Sequence, residues 1–154
     1  MKMKILMISP ECAPFSKAGG LGDMVSSISK QFAASGCEVK VFTPLYATVK
    51  RPADIEKQMD NLSVHMGLGL EYKASVWTAA LGDAKMLFLE FNMYFDRPGI
   101  YNYNGVDFSD NGGRFAFMCR AALDWCLQND WIPDVIHCHD WTTGFVPVLL
   151  NTSL

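Results

Sequence analysis

Charge is scarce in this chain of 154 residues: Asp, Glu, Lys and Arg together make up 19% of it, and the formal balance is −3 at pH 7. With a pI near 5.5, that balance excludes a general attraction to nucleic acid or to acidic membranes, so any anion site has to be local. Histidine is scarcer still at three residues, which confines metal and acid–base sites to a few positions. No C-x-x-C pair occurs. The five cysteines, Cys12, Cys37, Cys119, Cys126 and Cys138, are an odd number without framework spacing. They read as reduced thiols of a cytosolic protein. No run approaches the roughly 18 apolar residues of a membrane span. No signal peptide is expected either, because the apolar run at Ile5 to Ile8 is short and is followed by Ser9-Pro10-Glu11. Repeats and low-complexity segments are also missing. What remains is a chain of which half is hydrophobic, long enough for one domain with a buried core, and not disordered.

Against this background one run stands out, Ser16-Lys17-Ala18-Gly19-Gly20-Leu21-Gly22-Asp23. It follows an apolar strand and opens a helix. Free backbone N–H groups and the helix dipole at such a start favour negative charge. Adjacent glycines let a ligand approach the main chain without a Cβ in the way, and Lys17 adds a mobile cation suited to a phosphate oxygen. The spacing matches neither G-x-G-x-x-G nor the P-loop. A tight strand-to-helix turn with a surface lysine is the plainer alternative.

The remaining pattern predicts an α/β fold. Lys4-Ile5-Leu6-Met7-Ile8-Ser9 suits a strand buried on both faces of a parallel sheet. Leu21, Met24, Val25, Ile28 and Phe32 recur at helical spacing until Gly36. Glu38-Val39-Lys40-Val41-Phe42-Thr43 is a second strand stopped by Pro44. Strand, helix and strand within about 40 residues make a βαβ unit with a right-handed crossover. Residues 63–70, 73–81 and 85–91 read as three strands of a small meander, inserted in the main sheet or added to its edge. Residues 92–113 read as a long loop rich in aromatics, Asn, Asp and Gly, and such loops are more often functional than filler. Asp110 can cap the next helix, whose buried stripe is Phe115, Met118, Ala122, Trp125 and Cys126. Pro133-Asp134-Val135-Ile136-His137-Cys138 is a further parallel strand. A last helix runs over 142–150, with Pro147 in its first turns.

Three groups of residues carry possible chemistry. His137-Cys138-His139-Asp140-Trp141 stands at the C-terminal end of a strand, the edge at which open α/β sheets bind ligands. Alternation puts His137 and His139 on one side. Hydrogen bonding to a polar ligand with Trp141 as a wall, a metal site using His137, His139 and Asp140, and polar groups that only satisfy each other are the three readings. Asp23, in the first helical turn, is either a dipole partner or an acceptor for hydroxyls, facing a part of the ligand away from any phosphate. Phe95-Asp96-Arg97-Pro98-Gly99-Ile100-Tyr101 and Asp110-Asn111-Gly112-Gly113-Arg114-Phe115 flank the long loop. Aromatics interleaved with Asp and Asn suit carbohydrate, whose rings offer apolar faces and hydroxyls. Equally, Tyr101, Tyr103 and Phe108 can simply pin the loop.

Taken in order, Ser9-Pro10-Glu11, Lys17-Ala18-Gly19-Gly20-Leu21-Gly22-Asp23, Phe95-Asp96-Arg97-Pro98-Gly99, Asp110-Asn111 with Arg114-Phe115, and His137-Cys138-His139-Asp140-Trp141 resemble the amino-terminal part of bacterial glycogen synthase and plant starch synthase. The resemblance covers nearly the whole chain. It implies a Rossmann-like, mostly parallel sheet with flanking helices, the amino-terminal half of a GT-B fold. It also implies glucose transfer from ADP-glucose or UDP-glucose to the non-reducing end of an α-1,4-glucan, with retention of configuration and no metal or other cofactor. Lys17 and the Gly19 and Gly20 amides would approach the donor, and His139 would contact the 6-hydroxyl of its glucose; Lys17 and His139 would be the catalytic pair. Asp23 and Asp110 would hold acceptor hydroxyls, while Asp140, Trp141 and Phe95 would shape the pocket wall. Some bacterial members have Tyr where Phe95 stands, so a hydroxyl contact available there is absent here. The family also carries a second Rossmann-like domain, which binds most of the nucleotide and neutralises the leaving diphosphate. Residues 1–154 are therefore expected to be a truncated amino-terminal domain, inactive alone, of a cytoplasmic enzyme (or one of the plastid stroma, if from a plant). A stand-alone glucan- or sugar-nucleotide-binding module without catalysis is the alternative, and a metal-dependent hydrolase a third.

Overall fold

In the computed structural model, residues 2–152 are described; Met1, Ser153 and Leu154 lie outside them, so the expected domain is followed to Thr152 only. The first strand, β1 (Lys4–Ile8), has Ile5, Leu6, Met7 and Ile8 all buried. Successive residues of a strand face opposite ways, so burial of four in a row means that both faces are covered. Helix α1 (Gly20–Ala34) leads to β2 (Glu38–Pro44), which pairs in parallel with β1. Gly36, at φ +94°, makes the turn between them, a left-handed conformation that favours glycine.

The central segment forms the expected meander at one edge of the main sheet, with different strand bounds. Strand β3 (Glu56–His65) starts before the expected 63–70, and the residues after it form the turn into β4 (Glu71–Leu81). Within that turn the Met66 amide donates to the Leu70 carbonyl at 2.9 Å, and Gly67, Leu68 and Gly69 all have positive φ. Most of β3 is polar and exposed, so no apolar run marks its start. Side chains of the later helix α3 (Asn111–Gln128) hold it: Trp125 Nε1 donates to Gln58 Oε1 at 2.8 Å, and Gln128 brackets Ser63. Strand β5 (Ala84–Glu90) joins the meander to the main sheet. It pairs antiparallel with β4 on one side and parallel with β2 on the other, in the heart of the sheet.

The presumed loop over 92–113 is partly structured. It contains a single turn of helix, α2 (Asn92–Phe95), and a hairpin of β6 (Asn102–Tyr103) and β7 (Val106–Asp107). Helix α3 buries Phe115, Met118, Ala122, Trp125 and Cys126, the expected stripe. Strand β8 (Val135–Cys138) then pairs in parallel with β1. A 3₁₀ turn (Trp141–Thr143) and α4 (Phe145–Thr152) follow, with Pro147 in the first turn of α4.

The sheet order is β3-β4-β5-β2-β1-β8. The chain leaves β1 toward β2 and later returns, through α3, to the opposite side of β1. This reversal creates a crevice beyond the C-terminal ends of β1 and β8, the position at which ligands of doubly wound sheets bind. The α/β, mostly parallel architecture expected from the sequence is the one present, with the antiparallel meander of β3, β4 and β5 at one edge.

Candidate active site

Strands β1 and β8 end side by side, with Ile8 opposite Cys138. The segment leaving β1 is knotted by its own polar groups. Glu11 N donates to Ser9 Oγ at 3.2 Å, Ser9 Oγ donates to the Glu11 carbonyl at 2.7 Å, and the Cys12 amide donates to the Ser16 carbonyl at 3.0 Å. This buries the Glu11 side chain, only 3% exposed. Its Oε2 accepts the Ala18 N–H at 2.7 Å and the Gly19 N–H at 3.1 Å, and its Oε1 accepts the Tyr101 hydroxyl at 2.6 Å. The glycine loop is thus an anion cradle partly filled by the protein's own carboxylate. That corrects one expectation: the Gly19 amide is engaged by Glu11, and of the two glycine amides assigned to the donor, Gly20 is the one Glu11 leaves.

The glycines divide by purpose. A Cβ on Gly19 or Gly20 would meet nothing within 4 Å, so packing requires neither, and bare main chain faces open space there. A Cβ on Gly22 would sit 3.0 Å from the Ser16 carbonyl, so Gly22 serves the close approach of α1 to the loop. Lys17 donates to Asp23 at 2.6 Å, and both side chains are about half exposed. Exposed pairs of this kind are weakly held, so either partner can be drawn to a ligand.

Beyond β8, the His139 amide donates to the Ile8 carbonyl at 3.2 Å, extending the β1–β8 ladder by one bond. Its imidazole is 4% exposed, and Nε2 has no hydrogen-bond partner among the described residues. The His137 ring lies 4.3 Å away, on the same side as expected. Burial, and then the neighbouring His137, push the His139 pKa down to about 4. Asp140 adopts φ +65° and accepts the Trp141 N–H at 2.7 Å, capping the 3₁₀ turn. Trp141 is more than half exposed and packs beside Tyr101 and Phe115 at ring distances of 6.1 and 5.4 Å. Tyr101 therefore touches both sides of the crevice, Glu11 through its hydroxyl and Trp141 through its ring. A cleft of about 460 Å³ opens between Lys17 and Ala18 on one side and Pro98, Tyr101 and Asn102 on the other.

The long loop is held by two arginines. Arg97 donates twice to Asp110, at 2.6 Å each, and these bonds hold the Asp110 carboxyl below the usual carboxylate range. Asp110 stands at the N-cap position of α3 as expected, yet its side chain serves Arg97 instead of capping the helix. Arg114 is fully buried and donates to the carbonyls of Tyr94 at 2.8 Å and Ile100 at 2.9 Å, and to Asn111 Oδ1 at 2.6 Å. Phe95 is a second correction. It is fully buried against Tyr46 and Tyr94, and a ring with no exposed surface supports the wall from behind and cannot line it. Sequence reasoning assigned Glu11 and Arg114 no individual role, and left Tyr101 between a carbohydrate contact and a pin of the loop. The acid following Ser9-Pro10 was the available signal for Glu11.

A model of the starch synthase catalytic domain matches residues 4–154. The chain belongs to this family. It is 42% identical over 156 residues to glycogen synthase 1 of Geobacter metallireducens, covering 99% of this chain and 31% of that protein. It is 38% identical over 152 residues to the glycogen synthase of Treponema denticola, covering 97% of this chain and 30% of that one. Among solved structures, it resembles the catalytic domain of starch synthase IV from Arabidopsis thaliana, bound to ADP and acarbose. The TM-score is 0.87 at 29% identity, over 99% of this chain and 31% of that one. The chain thus spans about a third of the length of these synthases. Within this chain, Lys17, Asp23 and Gly20 come from the β1–α1 junction and His139, Asp140 and Trp141 from the end of β8. Asp110 stands apart at the start of α3, linked to Arg97. Among the described residues, no three His, Cys, Asp or Glu side chains gather as a metal-binding group. No described helix is long and apolar enough to cross a membrane.

Proposed function

We propose that this chain forms the amino-terminal lobe of a retaining glucosyltransferase. The enzyme moves glucose from ADP-glucose or UDP-glucose to the non-reducing end of an α-1,4-glucan. The observation that carries the proposal is the His139 imidazole, buried with Nε2 unpartnered on the turn after β8, next to the end of β1. A buried polar atom without a partner costs free energy unless a ligand satisfies it, and a neutral imidazole suits a sugar hydroxyl. Lys17, half exposed and held among the described residues by Asp23 alone, can swing to the donor diphosphate while Gly20 offers open main chain. Asp23 and Asp110 would meet acceptor hydroxyls, the latter from within its Arg97 pair. Trp141 offers an exposed ring as a wall, and Asp140 shapes that wall by fixing the Trp141 backbone. The ADP and acarbose bound in the related starch synthase IV structure support a nucleotide and glucan reading of this crevice. The reading assigns no metal or cofactor to this lobe, invokes a second lobe for the remaining nucleotide contacts, and assigns the enzyme to the cytoplasm or, in a plant, the plastid stroma.

The test expresses the full reading frame that contains this chain and measures labelled glucose entering glycogen from each nucleotide sugar. Incorporation is expected with one donor preferred. Lys17→Ala should lower it at least about tenfold, roughly 1.4 kcal/mol of barrier. A folded full-length protein that transfers from neither donor would overturn the reading and leave a non-catalytic binding module.

A further inference from the structure

We propose that Glu11 is the positioning residue of this site. Its buried carboxylate sets the shape of the Lys17–Gly20 loop and ties that loop to the turn carrying His139 and Trp141. Only the functional arm of the test rests on the glucosyltransferase reading. A carboxylate 3% exposed persists in a fold only when its oxygens are satisfied. Here the donors are two consecutive backbone amides, Ala18 and Gly19, and the Tyr101 phenol. The amides lie just ahead of α1, where the helix dipole also favours a negative charge. Drawing two successive N–H groups to one oxygen fixes the path of the main chain through 18–19. This constrains the direction in which Lys17 leaves the loop and in which Gly20 enters the helix.

The second oxygen reaches farther. Tyr101 lies 90 residues away in sequence, and its ring packs beside Trp141, which follows β8. Burial, and then the bond to Glu11, push the Tyr101 hydroxyl well above the ordinary tyrosine range, so it stays protonated and donates. Arg114 fixes the neighbouring Ile100 carbonyl from inside. One carboxylate thus joins the segment after β1, the long loop and the turn after β8. Those are the segments that frame the crevice. The Glu11 oxygens are already taken by Ala18, Gly19 and Tyr101, so Glu11 acts through Lys17, Gly20 and Tyr101.

Amide exchange with solvent, read by NMR on this chain, tests the positioning directly. In Glu11→Ala the Ala18 and Gly19 amides should exchange at least about tenfold faster, while the Met7 and Val41 amides of the sheet keep their rates. Glu11→Gln keeps the shape and one acceptor oxygen, so it should restore most of the lost protection while shifting both amide proton resonances. Unchanged Ala18 and Gly19 exchange in Glu11→Ala would overturn the proposal. Should that variant not fold, Glu11→Gln and Tyr101→Phe replace it, and Ala18 and Gly19 resonances at wild-type positions in both would overturn it equally. In the full reading frame, Glu11→Ala should raise KM for the nucleotide sugar about tenfold, with recovery in Glu11→Gln. Faster exchange with no transferase activity even in wild type would reject the enzymatic reading and leave the positioning role standing. Normal exchange in an active enzyme would reject the positioning role alone.

Discussion

His139 illustrates how a single side chain can be specified by its surroundings more than by its type. Burial disfavours its charged form, and a second imidazole 4.3 Å away adds to the effect. The unfolded chain takes up this proton near pH 6.5, while the folded chain takes it up only near pH 4. Between those values the unfolded state binds more protons, so stability falls as pH drops through the window. Accordingly, Tm should fall further between pH 7 and pH 4.5 in the wild type than in His139→Gln, by about 3 °C or more. Parallel pH profiles for the two proteins would show that the histidine is not desolvated. Lys17, Gly20 and His139 could be named as candidates from the sequence because each stands in a short run whose chemistry is local. Glu11 could not. Its partners are backbone amides seven and eight residues on and a tyrosine far along the chain, and only folding brings them to it.

Among the elements, the segment between β5 and α3 looks least regular and depends most on a single anchor. Arg114 satisfies the carbonyls of Tyr94 and Ile100 from a fully buried position, with its guanidinium beside the rings of Phe95, Phe108 and Phe115. Arg114→Ala strands both carbonyls and should cost about 3 kcal/mol or more. The urea midpoint measures that loss, and proteolysis within 96–110 should precede global unfolding. A midpoint within error of wild type would mean that water replaces the arginine. Part of this segment could have been read beforehand. Asn104-Gly105, with φ of +51° and +76°, is a strong two-residue hairpin signal, and it lies between β6 and β7. Strand β3 gave no such signal, because its outward residues are polar and its pairing with β4 is what defines it.

For the whole molecule, β1 is the axis. It has a parallel partner on each side, and all but its first residue are buried. Leu6→Ala, fully buried at the centre of that strand, should cost about 2–5 kcal/mol in urea unfolding. Leu68→Ser, at the fully exposed tip of the β3–β4 hairpin, should change stability by less than about 0.5 kcal/mol. Comparable losses at the two positions would contradict a core centred on β1. The βαβ start was legible from periodicity. The insertion of β5 beside β2 was not, since an apolar run of strand length has the same appearance at a sheet edge and at its centre.

The sequence by itself determined the class of fold and the local equipment of the crevice. It placed an apolar strand, a glycine loop and a helix start in one order, a buried stripe on α3, and a pair of histidines at a strand end. These follow from side-chain periodicity and backbone chemistry, which act over a few residues. Only the tertiary structure decided that Glu11 occupies the Ala18 and Gly19 amides, that Asp110 serves Arg97, that Phe95 stands behind the wall, and that Tyr101 joins the two sides of the crevice. Each of these depends on which distant groups share a buried space, and desolvation selects their partners only once the sheet has formed.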